Sequence, residues 1–190
     1  MSLNKLPPAL YTRTAVVLHW LIAVLLMSQF AFGWLLDDIP RNTPERGYWI
    51  NLHKSFGVVI GLLIILRIVW RLRHAPPAAL PMPTWQRRAA GFSHVAMYVC
   101  MVLMPLSGYL ASNFSKHGIK LFNAIKLAPW GGDDKVLYAV FNQTHKITAV
   151  LLASLIAVHL LAVIKHALID RDRLLARMWR GAVVPASPLR

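Results

Sequence analysis

The sequence predicts an all-α, integral-membrane four-helix bundle running up-down-up-down, and three observations lead there. The 190 residues are 57% hydrophobic and only 15% charged, with a mean hydropathy of +0.51, whereas soluble chains carry roughly 25% charged residues. Four apolar runs approach the roughly 20 residues needed to cross a bilayer. Most of the Lys and Arg behind the net charge of +14 flank those runs as topology signals do, instead of forming the continuous basic face of a nucleic-acid binder. The single cysteine, Cys100, lies inside an apolar run, so no disulfide or thiolate cluster can form within one chain and any metal must be held by histidine.

The four spans are expected at about 16–36, 52–70, 95–111 and 147–164, in one domain of residues 1–190. The first has no small-residue cleavage site and ends in Gly33-Trp34-Leu35-Leu36-Asp37, so it reads as a retained span rather than a signal peptide. Trp34, Trp49, Trp70 and Trp85 stand at or near run ends, where indole rings favour the headgroup region. Between the second and third spans, Pro76, Pro77, Pro81 and Pro83 make an extended strap. The connection at 112–144 is far longer than the roughly 2–8 residues typical of a bundle turn. Its stretch 119–127, where Lys120 and Lys126 alternate with Leu121, Phe122 and Ile125, is expected to form a short amphipathic helix on the outer surface.

Thirteen of the 21 Lys and Arg fall with the N-terminus, the second connection and the C-terminus, while the other side holds eight of them and five of the seven acids. The positive-inside rule therefore expects both termini in the cytoplasm.

Chemistry is carried by histidines, since an ionisable residue in or bordering a span is a functional hypothesis by default. His145 and His159 are fourteen residues apart, about 40° short of four full turns and about 21 Å of helix rise. Both rings thus leave one face of the fourth helix at different depths. By depth, His53 at the outer start of the second helix matches His145, and His19 at the inner start of the first matches His159. Two opposed imidazoles per level, with no thiolate and no carboxylate in the spans nearby, is the arrangement that holds a haem iron on both axial sides. No C-x-x-C-H motif is present, so two haems b would be bound without covalent attachment.

Fourteen residues after His53 comes Arg67, which either pairs with a propionate of the inner haem or snorkels to the interface with Arg71. Arg13, at the same inner end, is taken as a further haem contact. Fourteen after His19 comes Gly33, which either lets the outer macrocycle approach or packs helix on helix. His94 and His166 lie at the inner rim, as quinone-side proton donors or as plain interfacial residues. Lys54, Lys116 and Lys146 surround the outer ligands, where they either draw in a small anion or bind lipid headgroups.

Several segments together, Thr14-Ala15-Val16-Val17-Leu18-His19-Trp20, Asn51-Leu52-His53-Lys54-Ser55-Phe56-Gly57, Arg67-Ile68-Val69-Trp70-Arg71, Met104-Pro105-Leu106-Ser107-Gly108 and Thr144-His145-Lys146 with His159, resemble the prokaryotic cytochrome b561 family, which includes superoxide oxidases. The resemblance covers nearly the whole chain. It implies two haems b on His19/His159 and His53/His145, a quinone near the inner side, and an outer donor, either superoxide or a periplasmic protein, in the bacterial inner membrane. An oxidoreductase of the superoxide:quinone type is the expectation. A haem-carrying anchor subunit for a partner dehydrogenase, and a histidine-based metal or proton transporter, are the competing readings.

Overall fold

The computed structural model describes residues 10–78, 81–171 and 174–180. Four long helices carry the architecture: α1 (Arg13–Asp38), α2 (Pro44–Arg73), α3 (Thr84–Asn113) and α4 (Lys135–Lys165). All four are long and apolar enough to cross a membrane. A hairpin of β1 (Ile119–Leu121) and β2 (Ile125–Leu127) stands between α3 and α4. One π-turn (His166–Asp170) and a short helix, α5 (Leu174–Arg180), follow α4.

Three of the four long helices start on a capping side chain, and α3 follows Pro83 without one. The Thr12 hydroxyl accepts from Ala15 N, the Thr43 hydroxyl accepts from Arg46 N with Pro44 in the first turn, and the Asp134 carboxylate accepts from Val136 N and Leu137 N. These bonds use up donors that would otherwise be orphaned at the helix start. At the other end of α1, the Arg46 guanidinium donates to the carbonyls of Leu36 and Ile39 and lies 3.7 Å from Asp37, which closes the tight α1–α2 connection. The helices outrun the apolar stretches at both ends because backbone hydrogen bonding continues into the headgroup zone, beyond the hydrocarbon that hydropathy detects.

Two expectations are corrected. Residues 119–127 form antiparallel strands instead of an amphipathic helix, with Ile119 opposite Leu127, Lys120 opposite Lys126 and Leu121 opposite Ile125. The physical reason is the two Ile-Lys-Leu triplets: alternation every second residue matches a strand and not the 3.6-residue period of a helix. Phe122 and Asn123 turn the chain with φ of 48° and 57°, and Ala124 N donates to Leu121 O. Secondly, α4 begins at Lys135, so the connection is shorter than 112–144; the Asp134 cap nucleates helix well before the apolar run starts.

Packing follows chain order, α1 on α2, α2 on α3 and α3 on α4, whereas α4 has no comparably close backbone packing with α1 or α2. The long helices expose many large apolar residues: Val24, Leu62 and Val150 are each more than 60% exposed, which is the surface a bilayer covers. The small sealed core lies at mid-height, where Ile22 and Leu26 of α1, Ile60 and Ile64 of α2, Met97, Cys100 and Met104 of α3 and Leu152 of α4 meet. Leu26, Ile60 and Leu152 each stand seven residues from a singled-out position on either side: His19 and Gly33, His53 and Arg67, His145 and His159. Hence the interior has three levels, a polar one at the hairpin end, an apolar belt, and a polar one at the end where α1 begins and α4 finishes, the end of the described terminal residues.

Candidate functional site

At the hairpin end the rings of His53 and His145 face each other, with centroids 6.3 Å apart and planes at 84°. One metal between two imidazoles, with bonds of about 2 Å to each nitrogen, separates the ring centres by about 6 Å. The observed spacing fits.

The fourth helix brings His145 there, but α3 fixes how the ring is presented. His145 Nδ1 lies 2.7 Å from the carbonyl of Met104. A carbonyl only accepts, so Nδ1 carries the proton and the Nε2 lone pair is left for a metal. One feature of Met104-Pro105-Leu106-Ser107-Gly108 makes this approach possible. At Gly108 an added Cβ would come within 3.0 Å of His145 Nδ1, so only glycine admits the ring without displacing it.

On the opposite side, Gln29 Nε2 donates to His53 O at 2.8 Å, and a Cβ on Gly33 would stand 3.5 Å from His53 Cε1. Gly33 therefore borders the His53 ring. His53 Nδ1 and Gln29 Oε1 are both buried with no hydrogen-bond partner among the described residues. Unpartnered buried polar atoms are rare, and here both sit at the level where a polar group is expected to bind.

The end bearing the termini is arranged differently. Arg67 does not snorkel outward. It donates from Nη1 to Ala15 O at 2.9 Å and from Nε to the Tyr98 hydroxyl at 3.1 Å, while Nη2 lies 3.3 Å from His19 Nδ1. Since a guanidinium only donates, His19 Nδ1 is the acceptor. The ring in contact with His159 is that of His94, with centroids 5.6 Å apart; His19 is within electrostatic reach of both. His166 Nδ1 is 3.1 Å from Asp170 Oδ2, which Lys165 also holds at 2.6 Å. Arg13 is exposed at the start of α1. A small surface cleft opens beside Arg67, lined by Tyr11, Thr12, Trp70, Arg71 and Tyr98 among others.

Of the lysines expected to attract an anion, Lys54 donates to Gly118 O at 2.9 Å and so ties the hairpin to α2. Lys116 lies 3.5 Å from Asp133. Lys146 is exposed, one residue from His145. Sequence reasoning missed Gln29, Tyr98 and Met104 as parts of the sites. A glutamine in the middle of an apolar run, and a Pro-x-x-Gly inside a span, are the signals that would have found them.

A histidine-lined bundle of this kind defines a membrane haem protein of electron transfer. Residues 10–181 match the family described as prokaryotic cytochrome b561, and the chain belongs to that family. It is 29% identical over 178 residues to cytochrome b561 homolog 2 of Escherichia coli, covering 90% of this chain and 92% of the relative. It is 28% identical over 174 residues to cytochrome b562 of Cereibacter sphaeroides, covering 90% and 95%. A probable superoxide oxidase of Yersinia pestis is 24% identical over 177 residues, covering 88% and 94%.

Proposed function

We propose that this protein carries electrons across the membrane between a donor at the hairpin end and a quinone at the end bearing the termini. The observation that carries the reading is the opposed His53–His145 pair, spaced for one metal and with His145 already in the ligating tautomer. In this reading His53 and His145 hold one haem b and His19 and His159 a second. Bound haem b supplies reversible one-electron chemistry at its iron.

The chain's own residues then have distinct tasks. Met104 fixes the proton of His145 on Nδ1, Gly33 and Gly108 keep side chains out of the ring's way, and Leu26, Ile60 and Leu152 exclude water between the two levels. At the other end, His19 becomes a ligand through Nε2 only when Nδ1 takes the proton. Arg67 must therefore release that nitrogen. Freed, it is the group that would meet a propionate. His94 and His166 are the rim groups able to hold a proton for a quinone oxygen, with His166 oriented by Asp170.

The hairpin end faces outside and both termini lie in the cytoplasm of a bacterial cell, an orientation supported by the excess of Lys and Arg at the other end. Superoxide is the donor favoured by the exposed Lys146 beside His145 and by the similarity to the probable superoxide oxidase of Yersinia pestis. Haem quantification with reduced-minus-oxidised spectra, followed by superoxide addition with and without quinone, tests the whole reading. Two non-covalent haems reduced by superoxide and reoxidised by quinone are expected. Haems inert to superoxide would move the protein to the role of haem-carrying anchor for a dehydrogenase. A folded preparation without haem would overturn the proposal.

A further inference from the structure

The hairpin has a feature that the electron-transfer reading does not use. Lys120 and Lys126 stand directly opposite each other in its register, so they share one face with Cβ atoms about 4.5–5.5 Å apart, and like charges so placed repel. Both are exposed. The residues on the other face include Ile119, 3% exposed against the bundle, so the lysines point away from it. No carboxylate occurs within 119–127, and among the described residues neither lysine side chain has an acceptor. Nearby acids are engaged elsewhere: Asp133 with Lys116, and Asp134 at the start of α4.

Depth is set by the contacts that dock the hairpin. Asn123 Nδ2 donates to Tyr48 O at 3.1 Å, Phe122 N donates to the buried Ser55 hydroxyl at 2.8 Å, and Asn51 Nδ2 reaches Asn123 Oδ1 at 3.2 Å. Tyr48 and Trp49 form the aromatic end of α2, which belongs at the headgroup level. The Phe122 ring meets Phe56 edge-on at 5.5 Å, a turn further towards the hydrocarbon. The turn therefore dips into the bilayer margin while the strands lie among headgroups. Phe122 is 49% exposed and Ile125 63%, apolar surface that acyl chains would cover.

We propose that this hairpin is a clamp for an anionic phospholipid, with the lipid phosphate held between Lys120 and Lys126 and the upper acyl segments against Phe122 at the turn. The anion converts the cross-strand repulsion into two charge-assisted contacts. A soluble acidic protein would satisfy the lysines but leave Phe122 buried in lipid for no purpose, so the phospholipid is the occupant that explains both.

Native mass spectrometry of the full-length protein, released from nanodiscs of phosphatidylcholine containing phosphatidylglycerol, reads the site directly. The unaltered chain should retain phosphatidylglycerol. Lys120→Gln with Lys126→Gln should weaken retention about 30-fold, from the headgroup attraction of two lysines, and the double Arg variant should restore it. Equal retention by the Gln variant, or equal retention of phosphatidylcholine by the unaltered chain, overturns the proposal. If the Gln pair fails to fold, judged by its thermal melting, Phe122→Trp decides: its fluorescence should be quenched by lipids brominated on the acyl chain, and an unquenched indole overturns the clamp.

Discussion

The histidine levels at the two ends of the bundle are built from similar residues but prepared to different degrees. At the hairpin end, a carbonyl of α3 fixes the proton of His145, two glycines clear the space, and the two rings already stand 6.3 Å apart. At the end bearing the termini, a guanidinium occupies the nitrogen of His19 that must carry the proton, and the ring nearest His159 belongs to His94. The difference teaches that fourteen-residue spacing places ligands at a depth, whereas neighbouring elements decide which nitrogen they offer. In the proposed reading, one level is preorganised and the other exchanges a contact as it loads.

The strongest way to break the comparison is to remove a ligand from each level. His145→Ala should eliminate the hairpin-end haem, halving the haem content from two to one per chain and abolishing transmembrane electron transfer. His19→Ala should halve it from the other end, with His94→Ala leaving both haems in place; if His94→Ala removes a haem and His19→Ala does not, the ligand pair at that level is His94 and His159. Haem content by absorbance on purified variants checks all three.

A second test acts on preorganisation alone. Gly108→Val drives a side chain into the position 3.0 Å from His145 Nδ1 and should reduce haem affinity at that level by about 10–100-fold, the usual effect of disturbing a ligand's support. Titration of haem into the apoprotein measures it. Affinity unchanged by Gly108→Val would mean that the Met104 contact does not position the ring.

Arg67→Gln should act in a smaller and more selective way. It removes the charged partner proposed for the propionate, a loss that outweighs the release of His19 Nδ1, so the haem at that end should bind more weakly and shift in reduction potential while the hairpin-end haem keeps its spectrum. The smallest expected effect is that of Gln29→Leu. It takes away one hydrogen bond to the His53 carbonyl, about 1 kcal/mol, along with a buried unpartnered oxygen. A modest change in thermal stability with full haem content is expected, and loss of the haem would assign Gln29 a direct role in holding it.

Much of this architecture could be read from composition and periodicity. Apolar runs of bilayer length reveal helices because lipid offers the backbone no other partner than itself. The depth assignment of His19, His53, His145 and His159 needed only the helix rise and the alternation of directions. The count of fourteen set Gly33 at the level of His53, and its contact with the His53 ring is a detail that only the structure supplies. The hairpin at 119–127 was misread because lysines interleaved with apolar residues suggest an amphipathic surface helix, although the repeated Ile-Lys-Leu alternation favoured strands.

What the sequence by itself determined is therefore the part governed by solvent and by local geometry: four spans, their order, and the depth of each ionisable side chain. What only the tertiary structure decided is the part governed by partners distant in the chain. Met104 seats His145 across 41 residues and Arg67 reaches His19 across 48. Lys54 is spent on a hairpin carbonyl 64 residues away. A hydrogen bond requires a specific atom at a specific distance, and no periodicity within one helix encodes where the backbone of another will pass.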